Sequence, residues 1–223
     1  MSRIVVLTGN YGSGKTEIAL NMALAQVPAA VTLVDLDIVN PYFRSGGKRE
    51  LLEGRGVELI APDFEAMNME AVSLPPQVQS VFDRPDRTAI FDVGGDPVGA
   101  RALGRYFPLF QREGYEMLYV VNTKRPRASA ADNIIEMLRD VEASSRLKVS
   151  ALIHNTNLAS QTVAADIFAG QEIMQEVCER TGLVVRYTCV DRGILPTVQA
   201  GRLMGELMPL DLKMRPVWMQ DER

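Results

Sequence analysis

The chain has 223 residues, 24 Lys and Arg against 28 Asp and Glu, and a net charge of −4, a balance that leaves no electrostatic footprint for nucleic acid as a main partner. No stretch approaches the roughly 18 apolar residues of a membrane span, and the apolar N-terminal run is too short for a signal peptide, so a cytoplasmic protein without a membrane role is expected. No linker, low-complexity tract or internal repeat divides the sequence, and residues 1–223 read as a single domain with a sizeable core.

The first predicted element is a strand over 3–8, where Ile4-Val5-Val6-Leu7 suits burial on both faces. It runs into Thr8-Gly9-Asn10-Tyr11-Gly12-Ser13-Gly14-Lys15-Thr16-Glu17, in which Gly9, Gly14, Lys15 and Thr16 fill the phosphate-loop pattern G-x-x-x-x-G-K-[ST]. Ile18, Ala19, Met22 and Ala25 then recur at helical spacing. A strand, a glycine loop and a helix in that order aim backbone N–H groups and the positive helix terminus at an anion. Lys15 is expected to reach the β and γ phosphates and Thr16 to ligate Mg²⁺.

Further strands are expected at 30–36, 57–61, 87–93, 115–122, 148–154 and 183–189, with helices between most of them. This alternation predicts an α/β fold with a mostly parallel sheet and helices on both faces, and the phosphate-loop motif at its first turn makes the three-layer P-loop NTPase type the expected form. The region 62–86, punctuated by Pro62, Pro75, Pro76 and Pro85, reads as a surface excursion with a weak helix at 76–82. Two clear helices follow. One spans 129–143, with Ser129 as cap and Ala131, Ile134, Ile135, Leu138 and Val141 on its inner face; the other spans 162–181, with Val163, Ile167, Met174 and Val177 inward and Gly182 as stop. Cys178 and Cys189 lack metal-site spacing and read as buried small hydrophobes, so no iron–sulfur or zinc site is expected from this chain alone.

Phosphate transfer to water needs acids at the carboxyl ends of neighbouring strands. Asp35 and Asp37 end one strand, two residues apart and so pointing the same way, one suited to metal and one to water. Ile90-Phe91-Asp92-Val93-Gly94-Gly95-Asp96 ends another, with Asp92 placed as a Walker B acid holding Mg²⁺ through water ahead of a mobile switch loop. Near the same rim, Val39-Asn40-Pro41-Tyr42-Phe43-Arg44-Ser45 and Lys124-Arg125-Pro126-Arg127 supply aromatic and cationic groups.

Taken in order, the phosphate loop, the D-x-D and the hhhhD-x-G-G segment resemble the MinD/ParA/CobQ-type P-loop ATPases of the SIMIBI class, which include the nitrogenase iron protein, over nearly all of 1–205. The resemblance implies that Asp37 activates hydrolytic water in a first switch, that Asn155 after the strand at 148–154 reads adenine, and that Asp191 lies in a loop over the base. It further implies Mg²⁺-ATP as ligand, a nucleotide-dependent switch acting on a protein partner or cargo, and a homodimeric state. Two family features are missing. Gly99 stands where the iron protein has a cluster-ligating cysteine, and Asn10 stands where most relatives carry a second loop lysine. Electron transfer therefore does not carry over, and slow basal hydrolysis is expected unless Arg44, Lys124, Arg125 or Arg127 supplies the cation. The alternative reading is an ATP-dependent small-molecule ligase or kinase of the CobQ-like type. The single histidine, His154, is expected to pack in or beside the sheet without a catalytic role.

Overall fold

A computed structural model describes residues 2–37, 48–62, 77–95 and 97–214. Eight strands form one parallel sheet: β1 (Ile4–Thr8), β2 (Val31–Leu36), β3 (Val57–Ile60), β4 (Thr88–Val93), β5 (Glu116–Val121), β6 (Ala151–His154), β7 (Val185–Asp191) and β8 (Glu206–Leu210), in the order β3-β2-β4-β1-β5-β6-β7-β8. The helices are α1 (Lys15–Gln26), α2 (Arg49–Glu53), α3 (Gln77–Ser80), α4 (Pro97–Gly104), α5 (Phe107–Glu113), α6 (Ala131–Ser145) and α7 (Ala164–Thr181).

Strand side chains alternate between faces, and the buried residues divide accordingly. Ile4 and Val6 of β1 join the core layer covered by α4, α5, α6 and α7, whereas Val5 and Leu7 join the layer covered by α1 and α2. The sheet is thus the middle of three layers. Because β1 lies between β4 and β5, the chain leaves it in opposite directions, and a crevice opens beyond the carboxyl ends at that point. None of the described helices is long and apolar enough to cross a membrane.

Several local expectations shift. Ala25 is exposed, and α1 buries Leu20 and Ala23 beside Ile18, Ala19 and Met22, because its inner stripe is wider than a single i, i+4 row. Residues 77–83 are not a surface excursion: Val78, Val81 and Phe82 are buried, and the Phe82 ring meets Phe110 edge-on at 4.9 Å and Phe91 at 5.8 Å. The proline signal marks the chain's route there, not its burial. Ser129 does not cap α6; its hydroxyl donates to the Pro126 carbonyl, and Ala130 is the capping residue. Val163 is 56% exposed, since it precedes α7 and lends its N–H to Asp166. β6 starts at Ala151, after residues 146–150 have passed as irregular chain. The eighth strand was not expected at all; β8 places Pro209 opposite Val190 on the sheet edge, where a missing N–H costs no ladder bond.

His154 is buried at the end of β6. Its Nε2 lies 2.8 Å from the Thr156 hydroxyl, which in turn lies 2.9 Å from that of Thr123. Burial lowers its pKa to about 4, so the ring is neutral at physiological pH. Gly170 of α7 packs on this trio, and a Cβ there would run into Thr123 Oγ1, His154 Nε2 and Thr156 Oγ1. Alanine would favour the helix by about 1 kcal/mol, whereas overpacking costs typically 1–3 kcal/mol. Gly170→Ala is expected to lower stability by up to about 2 kcal/mol in denaturant unfolding; a stabilised variant would mean that the polar trio yields freely.

Candidate functional site

The stretch between β1 and α1 closes on itself. The Ser13 N–H donates to the Asn10 carbonyl at 3.1 Å, and Gly14, at φ 93°, caps α1 in a left-handed conformation that side chains resist. Inside the turn, the Lys15 ammonium donates to the carbonyls of Gly9 at 3.0 Å and Asn10 at 3.3 Å, and the side chain is only 6% exposed. Asn10 is turned to its own loop, its Oδ1 accepting from the Tyr11 N–H at 2.8 Å. Tyr11 itself is 71% exposed.

The expected carboxylates meet beside this loop. Parallel pairing sets Asp35 opposite Asp92, and Leu7, one residue before the loop, opposite Asp92 on the other side. Asp35 Oδ1 accepts from the Asp37 N–H at 3.0 Å, which fixes the turn off β2. Asp37 lines the cavity, and a Cβ on Gly94 would lie 3.2 Å from its Oδ1. Gly95 approaches so closely that a Cβ would collide with the Gly9 carbonyl oxygen, so the turn after β4 touches the phosphate loop directly. Asp96 and the 39–45 stretch lie outside the described residues.

Asp92 is fully buried, and neither of its oxygens makes a well-formed hydrogen bond, the Thr16 hydroxyl giving it only a weak contact. Burial, then repulsion from Asp35, raises its pKa to about 7, with the Thr16 hydroxyl and the Lys15 ammonium offsetting part of the effect. An orphaned buried carboxylate is costly, and a divalent cation beside Thr16 would satisfy it. Among the described residues no group of three or more His, Cys, Asp or Glu side chains could hold a metal by itself. Mg²⁺ keeps several waters and takes one or two carboxylates plus phosphate oxygens.

A cavity of about 570 Å³ opens from the loop, within the range of small-molecule sites. Its polar end is lined by Gly12, Gly14, Lys15, Thr16 and Asp37, and its far end by apolar side chains from the ends of β7 and β8. Asn155 stands between the two ends, 4% exposed, its Nδ2 donating to the Ser13 carbonyl at 2.7 Å. Asp191 also lines the cavity, with Oδ1 accepting from the Gly193 N–H at 2.9 Å. Glu17 faces the chain after β8, not the loop: its carboxylate accepts the N–H groups of Lys213 and Met214, and burial raises its pKa despite them.

The rim cations are sorted by their partners. Lys124 is spent on Asp166, at 2.6 Å, and that contact lowers the Asp166 pKa. Arg125 donates from Nε to the Gly12 carbonyl at 2.9 Å and lines the cavity. Arg127 is exposed, and Arg44 lies outside the described residues. Sequence reasoning missed Asn122, buried at the end of β5. Its Oδ1 accepts from the N–H groups of Lys124 and Asn157 and its Nδ2 donates to the Asn157 carbonyl, joining the loop that carries Arg125 to the one after Asn155. The one available signal was a polar residue ending an apolar strand.

No protein-family model and no curated protein matches the sequence. Among solved structures the chain is similar to FtsY from Mycoplasma mycoides, with a TM-score of 0.54, 16% identity, and coverage of 83% of this chain and 59% of that one. It is also similar to the cell division protein FtsY from Thermotoga maritima, at 0.54 and 18% identity over 85% of this chain and 62% of that one. A third similar structure is the signal recognition particle 54 kDa protein from Aeropyrum pernix in complex with GDP, at 0.51 and 20% identity over 83% and 40%. The chain spans less than two thirds of the length of each. What these likenesses share with it is the fold, an α/β P-loop NTPase-like sheet with its helices.

Proposed function

We propose that the chain binds a Mg²⁺-nucleoside triphosphate, hydrolyses it slowly, and acts as a nucleotide-dependent switch for a protein partner or cargo. The observation that carries this reading is the buried carboxylate of Asp92 beside the phosphate loop, which no well-formed hydrogen bond satisfies. The phosphates take the place that the Lys15 ammonium now fills with the Gly9 and Asn10 carbonyls. Thr16, Asp92 and Asp37 are the residues that would hold Mg²⁺, which when bound supplies charge neutralisation at the β and γ oxygens. Lys15 gives a cation to the same oxygens, and Asp37, at the cavity wall, orients a water and takes up its proton. The contact of Gly95 with Gly9 gives the γ-phosphate a direct route to the turn after β4.

ATP is the nucleotide we favour. The chain has no N-K-x-D motif, and Asn155, whose Nδ2 is committed to Ser13, keeps an Oδ1 acceptor suited to the adenine amino group. Asp191 is the second base-side candidate. The MinD/ParA/CobQ resemblance, carried by the motifs, supports the same choice, although the similar Aeropyrum pernix structure holds GDP. Arg125 is the candidate replacement for the lysine missing at Asn10, since it already reaches over the loop. A homodimer that brings a further cation in trans belongs to the same reading.

The test is equilibrium binding of Mg²⁺-ATP and Mg²⁺-GTP, followed by product analysis. ADP and phosphate alone support the switch, a product carrying phosphate or an adenylylated acceptor supports the ligase or kinase, and preference for GTP overturns the base assignment. Asp37→Asn is expected to keep nucleotide affinity and slow single-turnover phosphate release roughly tenfold, because an amide still orients water but cannot accept its proton. Unchanged release would move the role to another acid.

A further inference from the structure

The segment that leaves β8 is strapped to the start of α1. Asn21 meets Asp211 in both directions, Nδ2 donating to the Asp211 carbonyl at 3.0 Å and Oδ1 accepting from the Asp211 N–H at 2.9 Å. One turn earlier, Glu17 Oε1 accepts from the Lys213 N–H at 2.7 Å and Oε2 from the Met214 N–H at 2.9 Å. Glu17 and Asn21 are i, i+4 neighbours, and Asn21 Nδ2 also donates to the Glu17 carbonyl at 2.8 Å, so the two anchors are tied to each other. The helix they stand on begins with Lys15 and Thr16. Charge-assisted bonds to a carboxylate are the stronger kind, and here they fix two consecutive N–H groups of a segment that is itself neither strand nor helix.

What the strap carries is apolar. Leu212 and Met214 line the cavity, and Met214 packs on the core layer of Val5, Leu7 and Ile18. We infer that residues 211–214 form the wall of the cavity against which the base and ribose of the nucleotide lie, and that Glu17 is the positioning residue that holds this wall in place. The inference rests on the nucleotide reading above and adds to it a division of labour. Lys15 and Thr16 grip the phosphates, while Glu17, one residue further on, acts through the strap on the opposite end of the same ligand. The side chains that the wall presents, Leu212 and Met214, are apolar and do not discriminate base edges, so its effect extends to both purines. Linkage is reciprocal: a ligand that rests on the strap also keeps the strap seated.

The experiment compares binding of Mg²⁺-ATP, Mg²⁺-GTP and Mg²⁺-tripolyphosphate to the full chain and to Glu17→Gln, Glu17→Ala and Met214→Ala. Glu17→Ala and Met214→Ala are expected to lose about tenfold in affinity for both nucleotides, the scale of a lost apolar contact in a pocket. Glu17→Gln, which keeps one acceptor, falls between them and wild type. Tripolyphosphate binds all four proteins alike. Trypsin cleavage after Lys213 is expected to slow in wild type on adding Mg²⁺-ATP, and to stay fast in Glu17→Ala. Met214→Ala changes a half-buried side chain without touching the anchor, so it keeps the test informative if Glu17→Ala folds poorly. Unchanged nucleotide affinity in Met214→Ala overturns the inference, as does a parallel loss of tripolyphosphate in the Glu17 variants, which would put Glu17 at the phosphates. A wild type that binds neither nucleotide nor tripolyphosphate instead overturns the nucleotide reading and this inference with it.

Discussion

Lys15→Ala is expected to weaken Mg²⁺-nucleotide binding by at least a hundredfold in calorimetric titration while leaving the fold intact. The ammonium is nearly buried, and the carbonyls of Gly9 and Asn10 already hold it in the loop where the β and γ phosphates would lie. Exchange of two neutral carbonyl acceptors for phosphate oxygens converts ordinary hydrogen bonds into charge-assisted ones. At about 1.5–3 kcal/mol for each bond to a charged group, losing two of them exceeds the 2.7 kcal/mol or so that a hundredfold represents. The backbone cradle survives, because Ser13 N–H to Asn10 carbonyl and Asn155 Nδ2 to Ser13 carbonyl do not involve the lysine. Tripolyphosphate should be lost in parallel, which separates this variant from those of the strap. Near-normal affinity would show that the loop does not bind phosphate through Lys15.

The part of this site that was legible in sequence is the part built by neighbours in the chain. The phosphate loop, Asp35 with Asp37, and Asp92 each end or follow an apolar strand, and parallel pairing brings such ends together whatever the intervening residues are. The inner face of α6 was equally readable, since all five of its expected residues are buried. The strap was not. Its bonds join residues about 190 positions apart, and a bare N–H accepted by a distant carboxylate leaves no periodicity behind. β8 escaped for a related reason: only Leu210 is buried there and Pro209 interrupts it, so an edge strand looked like an irregular tail. Phe82 shows the converse error. Prolines nearby suggested a solvated loop, but its packing on Phe91 and Phe110 is set by tertiary contact.

Asp92→Asn is expected to make the nucleotide-free protein more stable at pH 8 and to weaken the Mg²⁺ dependence of nucleotide binding. The sign follows from the raised pKa. The unfolded chain releases this proton near the ordinary 3.8, whereas the folded chain keeps it up to about 7. Between those values the folded state therefore binds more protons, and stability falls as pH rises. The contribution is fully present below 3.8 and gone above about 7. The whole interval corresponds to an upper bound of about 4 kcal/mol, and the substitution removes that burden but leaves a buried amide whose unmade bonds cost about 1–3 kcal/mol. A net gain of at most about 1–3 kcal/mol at pH 8 remains, with little gain at pH 5, where Asp92 is already protonated. Mg²⁺-nucleotide reverses the ranking, because it stabilises only a protein that can support the metal shell. Thermal unfolding of both proteins at pH 5 and pH 8, with and without Mg²⁺-ATP, reads all four states. A wild type whose stability does not fall between pH 5 and pH 8, or a variant that gains as much from Mg²⁺-ATP as wild type does, would mean that Asp92 is held by the protein and is not the acid that waits for the metal.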